Sequence, residues 1–184
     1  CIAAALGFAL LLSPLNVAAG DVKKKEEAVA SIEKRQAELT RMSDQIWAYA
    51  ETALRETRSS KLLADYAEAQ GFQVQRGVAG MPTAFVASYG AGKPVIGIMG
   101  EYDALPGISQ KALPAKEALE VGAPGHGCGH NLFGTASLAA AVVIKELIAT
   151  GKLQGTIRFF GLPPKNPSAE KSTCCAKASS AMWT

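Results

Sequence analysis

Histidine is scarce in this chain: only His126 and His130 occur among 184 residues. A site built from many imidazoles is excluded, so other donors must complete any metal or catalytic centre. Acidic residues are also sparse beyond His130, with Glu146 and Glu170 the only two. Charge of one sign is lacking, because the formal net charge is +3 and the Lys23-Lys24-Lys25 run is followed at once by Glu26 and Glu27. That leaves no footprint for nucleic acid. The four cysteines, Cys1, Cys128, Cys174 and Cys175, do not form the spacing of a disulfide framework. The longest apolar run, Ile2 to Leu15, falls short of the roughly 20 residues that span a bilayer as a helix. No stable membrane span is therefore expected there. No internal repeat is visible.

What is present is globular: 48% apolar and 19% charged residues, enough for one ordinary domain. The apolar start followed by Asn16-Val17-Ala18-Ala19 suits an incomplete secretory signal, residues 1–19, cleaved after Ala19. A buried N-terminal helix is the alternative. The signal reading implies an exported, periplasm-like compartment, and its alternative a cytoplasmic one.

Val22 to about Glu51 repeats apolar residues at helical spacing, among them Val29, Ile32, Leu39, Met42 and Ile46. A second helix is expected after a Ser59-Ser60 cap, ending at Gly71. Short strands are expected over 72–78, 83–89 and 95–99. The last is continuously apolar, as in a strand covered on both faces. It delivers Glu101 and Asp103 at its C-terminal end, where ligands gather in α/β sheets. A long connection from Leu105 to Pro124 follows, with a helical turn expected over 115–119. The next helix, from Asn131 to about Thr150, is expected to pack through Ala136, Ala139, Ala140, Val143, Ile144 and Leu147. A strand over 156–160 closes the patterned region at Gly161. The expected fold is α/β, a mixed or mostly parallel sheet flanked by helices.

Chemistry concentrates in Gly125-His126-Gly127-Cys128-Gly129-His130-Asn131. A thiolate and an imidazole suit zinc and related divalent ions. The single intervening glycine lets both side chains turn towards one ion. A buried Cys and a loop-bonded His would give the same letters. Asp103 and Glu101 are candidate ligands or carboxylates that orient a ligating imidazole, although Asp before Pro-Gly is also ordinary turn chemistry. His126 fits a supporting or loop-packing role. Two ligands do not make a hydrolytic centre, and no general base is visible after them.

Residues 100–110, Gly-Glu-Tyr-Asp-Ala-Leu-Pro-Gly-Ile-Ser-Gln, and 125–136, Gly-His-Gly-Cys-Gly-His-Asn-Leu-Phe-Gly-Thr-Ala, closely resemble the aminobenzoyl-glutamate hydrolase B-subunit branch of the aminoacylase-like metallopeptidases. The likeness runs from about Val22 to Gly161, the N-terminal part of a catalytic domain. It implies metal binding by Cys128 and His130, with Asp103 in support, and a pair of manganese or zinc ions in the full-length proteins. It implies hydrolysis of an amide between an acyl or aroyl group and an amino acid, with dipeptidase activity as a lesser alternative. It also implies a homodimer or an A-subunit partner. The family's Gly-x-Pro-Ala-Glu-Glu signature, which supplies the base and a further ligand, falls on Gly161-Leu162-Pro163-Pro164-Lys165-Asn166. Lys165 and Asn166 stand where glutamates are expected. From residue 162 onwards the chain reads as an unpatterned, frameshifted tail. On that reading the parent is an enzyme and this chain an inactive fragment that binds metal weakly. Shifting the coding frame near codon 161 is expected to restore a Pro-Ala-Glu-Glu-like run.

Overall fold

The computed structural model describes residues 15–163 of the chain. Most of the signal segment, Cys1, Cys174, Cys175, Lys165 and Asn166 lie outside the described residues. Among these residues three α-helices and four strands, with a short 3-10 turn at Val78–Gly80, follow in the order α1 (Leu15–Tyr49), α2 (Thr57–Ala69), β1 (Gln73–Arg76), β2 (Phe85–Ala91), β3 (Val95–Gly100), α3 (His130–Ala149) and β4 (Gly155–Gly161). The strands form one sheet in the order β1-β2-β4-β3. β1 pairs antiparallel with β2, and β2 antiparallel with β4. β3 runs parallel to β4, with Met99 opposite Phe160 and Gly100 opposite Gly161. The sheet is therefore mixed, and the α/β expectation holds.

The core is built on one face of this sheet. Met42 and Ile46 of α1, Leu63 and Ala67 of α2 and Leu138, Ala141 and Val142 of α3 close over Phe85, Ala87, Ile157 and Phe159. Phe85 is the hub, its ring 5.6 Å from Phe159 and 6.2 Å from Tyr102 between centroids. A buried aromatic hub of this size carries much of the hydrophobic stabilisation. A half-buried clasp ties α1 to α3 at the periphery, where Arg35 pairs with Glu146 and the Ser31 hydroxyl donates to the same carboxylate.

Several sequence expectations shift. Ser59 and Ser60 do not cap α2; both lie inside it and are buried. The cap comes from Glu51, whose carboxylate accepts the N–H groups of Arg58 and Ser59 at 3.1 and 2.9 Å. Burial pushes the Glu51 carboxyl up, but these donors outweigh it and hold its pKa below the usual carboxylate value. No helical turn forms over 115–119, where three prolines nearby favour bends. α3 buries Leu138, Ala141 and Val142, while Ala136 and Ala140 are exposed on the groove facing α1. Neither does β3 have two covered faces. It is the edge strand among the described residues, and Ile96 and Met99 are 50% and 55% exposed.

α1 runs unbroken through 17–19, across the cleavage site expected for a signal. α3 is long and apolar enough to cross a membrane by length and composition, but it packs against β3, β4 and α1 as a core helix.

Candidate metal centre

β3 and α3 meet end to start, and that junction builds the site. A Cβ at either contact would push the two elements apart. A Cβ on Gly134 would stand 2.7 Å from the Glu101 carbonyl oxygen, and one on Gly100 would stand 3.1 Å from the Gly134 Cα. The two glycines let the first turn of α3 lie directly against the strand end. Gly129, at φ 74, takes the left-handed conformation that starts α3 and brings His130 to its first position.

His130 then sits between two carboxylates. Its Nδ1 lies 2.5 Å from Asp103 Oδ1, and its Nε2 lies 3.3 Å from Glu101 Oε2. Asp103 is 3% exposed, so this is not the solvent-facing turn cap that Asp before Pro-Gly allows. Such an Asp accepts the Nδ1–H, fixes the tautomer and leaves the Nε2 lone pair directed towards Glu101. Donor atoms of Glu101, Asp103 and His130 all lie within 4.8 Å of one another. That is close to the span of donors that share one divalent ion. Two carboxylates and an imidazole suit zinc or manganese.

Cys128 is exposed and free, and its sulfur is not among that group. It stands two residues before His130 in the chain. The buried-hydrophobe alternative for Cys128 does not hold.

His126 takes a different position from His130. It is 6% exposed, stacks on Trp47 at 6.3 Å, and its Nε2–H donates to the Ile46 carbonyl at 2.9 Å. It pins the glycine-rich run to the end of α1, in keeping with loop packing. Burial pushes its pKa below the ordinary imidazole value. Above the run lies the connecting loop. Leu105 and Gly125 exchange backbone hydrogen bonds, and a Cβ on Gly125 would meet the Ile108 carbonyl oxygen at 2.5 Å.

One buried acid escaped the sequence reading. Glu56 is 0% exposed, yet in the sequence it reads as a polar residue at a helix start. Only its position behind Tyr102 and Asp103 marks it out.

An α/β domain with a candidate metal site is the class that this fold and donor set define, and the proteins it resembles are hydrolases and metal-binding peptidases. Over 143 residues, 77% of this chain, it is 45% identical to the B-subunit of the p-aminobenzoyl-glutamate hydrolase of Escherichia coli strain K12. The resemblance to the aminobenzoyl-glutamate hydrolase B-subunit branch is thus a finding. The chain spans about 30% of that relative's length. A dinuclear metal-binding peptidase of the M20 family from Bacillus subtilis matches 74% of this chain and 38% of its own, at a TM-score of 0.60 and 26% identity. An aminobenzoyl-glutamate utilization protein from Klebsiella pneumoniae has the same fold over 74% of this chain and 39% of its own, at a TM-score of 0.52 and 15% identity. No protein-family profile matches the chain.

Proposed function

We propose that this chain builds one side of the metal centre of an amidohydrolase that cleaves the amide joining an acyl or aroyl group to an amino acid. Aminobenzoyl-glutamate is the reference substrate, by likeness to the named relatives. The observation that carries this reading is His130 held between Asp103 and Glu101 at the β3–α3 junction. The buried Asp103 orients the imidazole, and Glu101 and His130 Nε2 would hold the cation, zinc or manganese. The exposed Cys128 thiolate, two residues away in the chain, would serve as a further ligand. A divalent ion bound there would polarise the amide carbonyl and lower the pKa of its water. The curated relative is one component of a hydrolase, so a partner subunit or a second copy belongs to the same proposal. Export from the cytoplasm does too, from the apolar start.

A second reading rests on Lys165 and Asn166, which stand where the resemblance places two glutamates. A lysine beside a dication is repelled, so on this reading the 184-residue chain binds metal without turning over substrate. The test is direct. Zinc and manganese are titrated calorimetrically into the purified chain and into Cys128→Ser and His130→Ala, and release of p-aminobenzoate is followed in parallel. Metal binding that both substitutions weaken by about 10-fold or more supports the site. Metal bound equally well by His130→Ala overturns it. Turnover by this chain would sink the second reading.

A further inference from the structure

We propose that Glu56 is a positioning residue of the same centre, a neutral carboxylic acid whose proton is shared with the Thr83 hydroxyl and which, through Thr83 and Tyr102, holds Glu101 and Asp103 in place. The inference rests on the metal-centre reading for its purpose, and on separate geometry for its existence.

Two buried polar atoms are orphaned here, Glu56 Oε2 and Thr83 Oγ1. Glu56 is 0% exposed and Thr83 2% exposed, so no solvent serves them. An ionised, half-bonded carboxylate at such depth is expensive, and two adjacent orphans are more so. A proton shared between Oε2 and the Thr83 hydroxyl satisfies both atoms at once, and placing it on Oε2 also removes the buried charge. Burial pushes the Glu56 pKa above its ordinary value, outweighing the hydrogen bonds from Thr83 and the Leu54 N–H that lower it, with a smaller push from the charge of Asp103.

The other carboxyl oxygen does structural duty. Glu56 Oε1 accepts the Leu54 N–H at 2.8 Å, and Leu54 sits at φ 64, a left-handed backbone costly for leucine. Ala50, at φ 44, starts the same loop. Strain of this kind persists where surrounding contacts over-determine it. This loop is tied directly to the residue after Asp103. Ala104 N–H donates to the Glu51 carbonyl at 2.7 Å, and Thr52 and Ala104 form a parallel bridge.

From Thr83 the connection runs to the centre. The Tyr102 hydroxyl donates to the Thr83 carbonyl, and its ring is buried under Phe85. In extended chain, neighbouring side chains point to opposite sides. Holding Tyr102 therefore holds the residues on either side of it, Glu101 and Asp103, one on each nitrogen of His130.

The experiment compares Glu56→Ala, Glu56→Gln and Thr83→Val with the parent chain. Three readouts are taken: the infrared carbonyl band of a protonated carboxylic acid, the nitrogen-15 imidazole shifts of His130 in metal-free protein, and zinc affinity by chelator competition. The band is expected at neutral pH, lost in Glu56→Gln and displaced in Thr83→Val. Glu56→Ala is expected to move the His130 shifts and weaken zinc by about 10-fold, in the range of groups that orient ligands. Glu56→Gln, which donates an amide N–H to Thr83, should restore both. Glu56→Ala with unchanged His130 shifts and zinc affinity would overturn the proposal, as would a spectrum with no band that depends on Glu56. If Glu56→Ala does not fold, Thr83→Val and the infrared band decide. A parent chain that binds no zinc ends the metal-centre reading, while the band and the His130 shifts still judge the strut.

Discussion

Replacing Gly134 by alanine sets two effects of known sign against each other. Glycine inside a helix costs about 1 kcal/mol relative to alanine, so propensity alone would stabilise α3. The added Cβ, however, would stand 2.7 Å from the Glu101 carbonyl oxygen and 3.3 Å from both Leu63 Cδ1 and Tyr102 Cβ. The nearest of these is backbone at the end of β3 and cannot rotate away. Overpacking of this kind costs roughly 1–3 kcal/mol. Sterics win, and the expected net loss is about 1 kcal/mol. For a domain of this size that lowers Tm by roughly 2–4 °C. Gly20 is the internal control, because it lies in α1 with nothing within 4 Å of a built Cβ. Gly20→Ala keeps only the propensity term and should raise stability by up to about 1 kcal/mol. Thermal unfolding followed by far-ultraviolet circular dichroism reads both. A Gly134→Ala chain that melts at or above the parent temperature would refute the claimed contact between α3 and the strand end. The same variant displaces Glu101, so its zinc affinity should fall along with its stability.

His126 predicts an acid limb. Its folded pKa is lowered by burial, so the unfolded chain binds the proton more readily, and stability is lost as pH falls through the ordinary imidazole value of about 6.5. His126→Gln, which keeps a donor for the Ile46 carbonyl, should flatten the fall in urea midpoint between roughly pH 7 and pH 5; an unchanged slope would assign the limb to other groups. Glu51→Ala strips the cap from α2 and should cost about 1 kcal/mol in chemical denaturation, with increased amide exchange at Arg58 and Ser59. Protection unchanged at those two amides would remove Glu51 from that role.

How much was legible beforehand differs from part to part. Helices α1 and α3 and the strand leading to Glu101 and Asp103 follow from apolar spacing, because periodicity reports which side of an element is buried. His130, Asp103 and Glu101 are legible as candidates because a strand end and a glycine-rich run mark them, and the structure groups these three without Cys128. The expected packing face of α3 holds at Ala139, Val143 and Ile144 and fails at Ala136 and Ala140. Alanines are apolar enough for either side, and contact with α1 and the sheet selected Leu138, Ala141 and Val142. β3 reads as covered on both faces, since a run of apolar residues cannot tell an edge strand from a central one.

The sequence by itself determined the α/β class and most of the helices and strands, since each is a property of neighbours along the chain. Only the tertiary structure decided that β2 inserts antiparallel beside β4, that His126 reaches Ile46 eighty positions away, and that Glu56 lies buried behind Asp103 rather than in water. These depend on which distant backbones approach one another, and local spacing carries no information about that. The reach of His130 to both carboxylates belongs to the same class, because it exists only where α3 closes against the end of β3.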